Sequence, residues 1–185
     1  CIGTSLVDMY LKCGRVLNAK VVFDMLPVRN VVLWTSLISG FADNAFAEEA
    51  LAAFEKMGIE GVSPNTITFT CTLKACGIMG TIEKGREIHM DLVRKGLLER
   101  DILVGNSLID MYVKCGGLNI AQKVFEKLPF RDTVSWNILI MGYTEQGDAK
   151  QALAFFGQMQ LENGSPDTLT YIYSLKACSS MSAIC

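Results

Sequence analysis

The sequence predicts an all-α chain built as a solenoid of helical hairpins, and three observations carry that prediction. First, the chain repeats itself. Ile2 to Gly40 and Val104 to Gly142 read almost alike, with Ser5 on Ser107, Tyr10 on Tyr112, Cys13 on Cys115, Phe23 on Phe125, Pro27 on Pro129, Arg29 on Arg131 and Trp34 on Trp136, at a constant offset of 102 residues. The match runs on through Ala50-Leu51 on Ala152-Leu153, Met57 on Met159, Pro64 on Pro166, and Leu73 to Cys76 on Leu175 to Cys178. Second, apolar residues recur at helical spacing in pairs of short segments. Third, glycine- or proline-bearing breaks separate most of the segments. Tandem two-helix units cannot bury their apolar faces alone and must stack on their neighbours.

Residues 102–132 show the logic of one repeat. Leu108, Ile109 and Tyr112 form one stripe, Cys115-Gly116-Gly117 breaks it, and Ala121, Val124, Phe125 and Leu128 form the next before Pro129. Residues 133–167 repeat the pattern with Trp136, Leu139, Ile140 and Tyr143, a break at Gln146-Gly147-Asp148, then Ala152, Phe155, Phe156 and Met159. The twin at 31–65 uses Trp34, Leu37, Ile38 and Phe41, then Ala50, Leu51, Phe54 and Met57, but carries Ala45-Phe46 where its copy has Gly147-Asp148. Loss of that glycine predicts a differently shaped turn, because alanine disfavours positive φ. Residues 66–101 form a third type with Phe69, Leu73 and Cys76, then Ile82, Ile88, Leu92 and Val93. Residues 1–30 are a 31-residue type lacking one residue, and 168–185 open another 36-residue type, whose helix is expected to expose Leu169, Ile172 and Leu175.

Half of the residues are hydrophobic and 19% charged, a globular balance. The net charge of −2 gives no basic footprint of the kind that usually marks nucleic-acid binding. Seven cysteines without any C-x-x-C, and a single histidine, His89, point away from a metal or disulfide framework. Cys13 and Cys115 share one repeat position and Cys76 and Cys178 another, where a small buried residue is expected. No apolar run approaches the roughly 18 residues needed to cross a bilayer, so no membrane partner is expected. The chain begins and ends inside repeats and is expected to be part of a longer protein, with any targeting segment elsewhere.

An A-x3-F element in the second helix, at Ala50/Phe54, Ala121/Phe125 and Ala152/Phe156, is shared with tetratricopeptide repeats. The remaining text is more particular. LIDMYVKCG with KVFEKLPFRD, SWNILIMGY with QALAFFGQM, and LKAC with KGREIH resemble the S, P and L units of plant pentatricopeptide-repeat proteins. The cycle of 31-, 35- and 36-residue repeats resembles the PLS subclass: S-type at 1–30 (partial), P-type at 31–65, L-type at 66–101, S-type at 102–132, P-type at 133–167 and a partial L-type at 168–185.

The resemblance implies a right-handed α-solenoid that binds single-stranded RNA, one base per repeat, in mitochondria or chloroplasts. It implies site recognition for C-to-U editing, with editing-complex proteins as further partners. It also implies which residues read the bases. In the family the fifth residue of a repeat touches the base edge and the last residue orients it. Here those pairs are Thr4 with Asn30, Thr35 with Asn65, Thr70 with Asp101, Asn106 with Asp132, and Asn137 with Asp167. The family's code gives A, A, G, U and U.

Second-position aliphatics would sandwich the bases, at Val32, Ile67, Leu103 and Val134, with Cys1 a weaker match. Lys12 and Lys114 would contact phosphate. Competing readings exist for each group: asparagine and aspartate cap helices and fill turns, surface lysines are solvated, and Trp34 and Trp136 belong to the apolar stripe. A peptide-binding scaffold is the rival function. Catalysis is not expected, since His89 stands alone and neither an H-x-E with P-C-x-x-C signature nor a glycine-rich phosphate loop occurs. No cofactor and no metal are expected.

Overall fold

A computed structural model describes residues 2–182; Cys1 and residues 183–185 lie outside the described residues. The described residues form eleven helices: α1 (Ile2–Lys12), α2 (Val16–Met25), α3 (Val31–Asp43), α4 (Ala47–Ile59), α5 (Thr66–Met79), α6 (Ile82–Arg94), α7 (Ile102–Lys114), α8 (Leu118–Lys127), α9 (Thr133–Glu145), α10 (Ala149–Leu161) and α11 (Thr168–Ser182). None of them is long and apolar enough to cross a membrane. The chain divides into two compact units, the first ending at Ile88 and the second starting at His89.

In unit 1 the first helices of successive hairpins stack, α1 on α3 and α3 on α5. The second helices lie behind, α2 against α1 and α3, and α4 against α3 and α5. Unit 2 repeats the arrangement with α7, α9 and α11 stacked and α8 and α10 behind. The apolar stripes face into these layers. Phe23 meets Trp34 edge-on at 4.6 Å, and Phe125 meets Trp136 at 4.7 Å. Each aromatic is essentially buried, so the tryptophans are core residues and not stacking platforms. Such pairs contribute about 0.5–1.5 kcal/mol beyond the area they bury.

Close approach of the stacked helices depends on glycine. A Cβ on Gly40 would lie 2.5 Å from Leu11 Cδ1 and 2.7 Å from Leu11 Cβ; one on Gly142 would lie 2.8 Å from Val113 Cγ1. Arg29 and Arg131 clamp the outer helices. The Arg131 guanidinium donates to the carbonyls of Phe125 and Glu126 at the end of α8, lies 4.9 Å from the Phe125 ring centroid, and pairs with Glu162 beyond α10 at 3.0 Å. Arg29 does the same with Phe23, Asp24 and Glu60.

The turn expected to differ does not. Ala45 takes φ +63°, beside +69° at Gly14, +76° at Gly116 and +82° at Gly147. The turn after α3 closes with Phe46 N–H donating to Phe41 C=O at 2.9 Å, matched by Asp148 to Tyr143 at 2.9 Å. Closure of the hairpin imposes the left-handed residue, and alanine carries a strain of about 1–2 kcal/mol there.

The cysteine expectation also needs correction. Cys76 is buried, but Cys13 and Cys178 are exposed and Cys115 is intermediate. A shared repeat position does not ensure shared burial: Leu73 is 0% exposed, whereas its copy Leu175 on α11 is 68% exposed.

Candidate functional site

The first helices α3, α5, α7, α9 and α11 each follow a side-chain cap, and those caps are the last residues of the preceding repeats. Asn30 Oδ1 accepts from Leu33 N at 3.0 Å, Asn65 Oδ1 from Thr68 N at 2.9 Å, and Asp101 Oδ1 from Leu103 N at 2.9 Å. Asp132 Oδ1 accepts from Ser135 N at 2.8 Å and Asp167 Oδ1 from Thr170 N at 2.9 Å. A cap satisfies backbone donors that the helix itself leaves without partners. Capping is therefore real at all five positions, and at Asn65, Asp132 and Asp167 the same oxygen does more.

Asn106 Nδ2 donates to Asp132 Oδ1 at 3.1 Å. The Ser135 hydroxyl shares its proton between Asn106 Oδ1 at 2.7 Å and Asp132 Oδ1 at 2.8 Å, and Asp132 N–H donates back to Ser135 Oγ at 3.2 Å. One repeat later Asn137 Nδ2 donates to Asp167 Oδ1 at 2.9 Å, the Thr170 hydroxyl to Asn137 Oδ1 at 2.6 Å, and Asp167 N–H to Thr170 Oγ1 at 3.0 Å. Each set is a closed ring of fifth residue, last residue and the hydroxyl two residues into the next helix. Asn106 and Asn137 are only 6% and 8% exposed. A carboxamide has two donors and two lone pairs, so one of each remains for a ligand.

The rings set the carboxylate chemistry. Partial burial pushes Asp132 up, but the Ser135 amide and hydroxyl and the Asn106 carboxamide outweigh it and hold the carboxyl below its ordinary range. The Thr170 amide, then the Asn137 carboxamide, hold Asp167 low as well. Both are carboxylates at neutral pH, accepting only, which compels each asparagine to turn Nδ2 towards them.

The other three pairs are built differently. Thr35 shares a 2.7 Å hydrogen bond with the Thr68 hydroxyl, which itself donates to Asn65 Oδ1 at 2.9 Å, so Thr35 and Asn65 are linked through one intermediary. Asn30 caps α3, but the residue two into that helix's sequence beyond Val31 is apolar Leu33, and Thr4 is half-buried. The Thr70 hydroxyl donates to Ile67 C=O at 2.9 Å, while Asp101 serves the start of α7 and is followed by apolar Val104 at the equivalent place.

Second-position residues are open to solvent: Val32, Ile67, Leu103 and Val134 are 53–63% exposed. Leu169 belongs with them. It is Ile67 displaced by one period and is 52% exposed, so its exposure matches the second-position row.

In unit 1 a groove of about 580 Å³ brings Lys12, Val32, Thr35, Asn65 and Ile67 together, with Asp8 and Asp43 also on its walls. Lys12 pairs with Asp8 at 2.7 Å and Lys114 with Asp110 at 2.6 Å, one turn back in each helix. The positive charge expected to meet phosphate is thus locally offset. His89 stands apart from the rings; its Nδ1 lies 3.0 Å from the Tyr112 hydroxyl, and burial together with Lys127 lowers its pKa.

Sequence reasoning missed the hydroxyls Thr68, Ser135 and Thr170. The available signal was the N/D-x-x-S/T spacing of a capping box, at Asn65/Thr68, Asp132/Ser135 and Asp167/Thr170.

Comparison with known proteins gives this geometry a context. Residues 29–77 and 131–180 match the PPR repeat family, and residues 4–31 and 106–131 match the PPR repeat. A putative pentatricopeptide repeat-containing protein of Arabidopsis thaliana is 45% identical over 181 residues, covering 97% of this chain and 26% of that protein. A chloroplastic member from the same plant is 42% identical, over 98% of this chain and 22% of its own length. A putative mitochondrial member is 38% identical, over 96% and 28%. The chain thus spans about a quarter of the length of these relatives.

Among solved structures, the pentatricopeptide repeat protein PPR10 in complex with an 18-nucleotide psaJ RNA element superposes with a TM-score of 0.79 at 22% identity, over 95% of this chain and 27% of that one. Nuclear proteinaceous RNase P 2 of A. thaliana gives 0.73 at 11% identity, over 95% and 41%. Both likenesses concern the fold, an all-α helical-repeat solenoid. With the repeat matches and the plant relatives, they establish that the chain belongs to the pentatricopeptide-repeat family.

Proposed function

We propose that this chain binds single-stranded RNA along the starts of its first helices, one base per repeat, as part of an organellar RNA-processing factor. The observation that carries the reading is the paired ring at Asn106/Asp132 and Asn137/Asp167, which leaves one donor and one acceptor on each carboxamide beside exposed aliphatic residues. Single-stranded RNA offers its Watson–Crick edges to short polar side chains and its faces to apolar ones. PPR10, whose fold this chain shares, has been crystallised with an RNA element, which supports RNA as the ligand class.

The base order A, A, G, U, U across the five pairs is part of the proposal. So is a role in choosing cytidines for C-to-U editing, with editing proteins as partners and the chemistry supplied outside residues 1–185. The chloroplastic and mitochondrial names of relatives support an organellar location without choosing between the two. Affinity would come mainly from stacking and base contacts, because Lys12 and Lys114 are offset by aspartates.

Fluorescence anisotropy at fixed low salt, with labelled RNAs carrying U or a purine opposite residues 133–167, tests the reading. The wild-type chain should prefer U there, and Asn137→Thr should move the preference towards a purine. Binding that ignores both base and substitution would overturn base reading and favour a peptide-binding scaffold.

A further inference from the structure

We infer that the third-position hydroxyls Ser135 and Thr170 are positioning residues that decide between uracil and cytosine by locking the carboxamide of the preceding repeat's asparagine. This rests on the proposal that Asn106 and Asn137 face RNA bases. A carboxamide offers a donor beside an acceptor, and it can address either pyrimidine. Against uracil its N–H meets O4 and its C=O meets N3–H; against cytosine its C=O meets the N4 amino group and its N–H meets N3. The two arrangements differ by a half-turn of the amide, so discrimination requires that the amide be unable to turn.

The ring supplies that constraint from both ends. Asp132 accepts only and holds Nδ2; the Ser135 hydroxyl, its own oxygen engaged by Asp132 N–H, shares its one proton between Asn106 Oδ1 at 2.7 Å and Asp132 Oδ1 at 2.8 Å. Thr170 does the same for Asn137 with a shorter contact of 2.6 Å. A half-turn would bring carboxylate against C=O and take from the hydroxyl its acceptor on the amide, leaving it only the carboxylate oxygen at 2.8 Å for Ser135 and 3.0 Å for Thr170. Asparagine's length, by contrast, is independent of the lock, so preference for pyrimidine over purine does not need the hydroxyl. The molecule contains natural comparisons, since Leu33 and Val104 occupy the same place after Asn30 and Asp101 and carry no hydroxyl.

Thr170→Val, close in shape, removes the hydroxyl, and Thr170→Ser restores it. Two readouts decide the matter. The first needs no RNA: the side-chain amide resonances of Asn137, followed by NMR hydrogen exchange, should be protected in the wild type and Thr170→Ser and lose protection in Thr170→Val. The second uses RNAs with U, C or A opposite residues 133–167. Thr170→Val should lower the U-over-C ratio by about 3- to 10-fold, the worth of one lost hydrogen bond, with the pyrimidine-over-purine ratio kept. Ser135→Ala and Ser135→Thr repeat the test one repeat earlier.

Unchanged Asn137 protection in Thr170→Val, or an unchanged U-over-C ratio in a chain that prefers U, would overturn the lock while leaving base reading intact. A wild-type chain that binds RNA but treats U, C and A alike would instead overturn the base reading on which the lock rests. Loss of both ratios together would assign Thr170 a purely structural part.

Discussion

Two places one period apart solve the same geometric problem with different side chains. In unit 2, Asn137 reaches Asp167 directly and Thr170 closes the ring. In unit 1 the corresponding residues are Thr35, Asn65 and Thr68, and the shorter Thr35 reaches Asn65 only through the Thr68 hydroxyl. At the next such pair the contrast is sharper: Asn106, Asp132 and Ser135 form a ring, whereas Thr4, Asn30 and Leu33 provide a cap alone. The backbone frame is held constant while two or three short side chains vary. A stack of this kind can change what it presents at each step without changing its fold, because capping needs only one oxygen and the rest of the side chain is free to vary.

The frame itself is where the largest effects should appear. Gly40→Ala places a Cβ against the Cβ of Leu11, and Gly142→Ala places one against the ends of Val113 and Leu118. Urea denaturation followed by circular dichroism should find Gly40→Ala destabilising by about 1–3 kcal/mol, more than its copy, since a Cβ cannot swing away as a side-chain end can. Equal effects would show that the two units pack their first helices with the same tolerance.

Next in size is the difference between ring and cap. Asp132→Ala removes a cap and the anchor of Asn106, and should cost about 2 kcal/mol; Asn30→Ala removes only a cap and should cost about 1 kcal/mol. The same comparison has a pH arm. Asp132 and Asp167 have folded pKa values below their ordinary ones, so their stabilisation is complete above about pH 5 and is lost as pH falls through the ordinary carboxylate range towards the folded values. Asn30 and Asn65 do not titrate. Asp132→Asn should therefore flatten the loss of stability between pH 5 and pH 3 by a measurable part, and an unchanged slope would deny the ring its electrostatic role.

The smallest effect lies in the turns. Ala45→Gly should stabilise by about 1 kcal/mol by relieving positive φ, and Gly147→Ala should destabilise by a similar amount. A neutral Ala45→Gly would mean that the backbone entropy gained by the unfolded chain cancels the strain.

Much of the fold was legible because it is local and repeated: stripes at helical spacing, breaks, and a single offset relating two copies. The fifth and last residues were legible only through family resemblance, and their odds against simple capping could not be decided from residue types, since asparagine and aspartate suit both tasks. The third-position hydroxyls were hidden because Ser135 and Thr170 belong to the repeat after the residue they hold, so the ring crosses a boundary that reading repeat by repeat keeps closed. Ala45 misled because residue preference was weighed without the tertiary closure from Phe46 to Phe41 that overrides it. Cys178 misled less by type than by place, exposed where Cys76 is buried, whereas Leu175 is exposed as its place on the last helix led one to expect.

The most direct test of the account is to turn one copy into the other. Thr35→Asn with Asn65→Asp, Thr68 being already in place, rebuilds the unit 2 ring in unit 1. Anisotropy with RNAs varied only opposite residues 31–65 should show the preferred base moving from A to U, with preferences opposite the other repeats unchanged. A preference that stays at A, or a loss of affinity shared by every RNA, would contradict the claim that these side chains read bases.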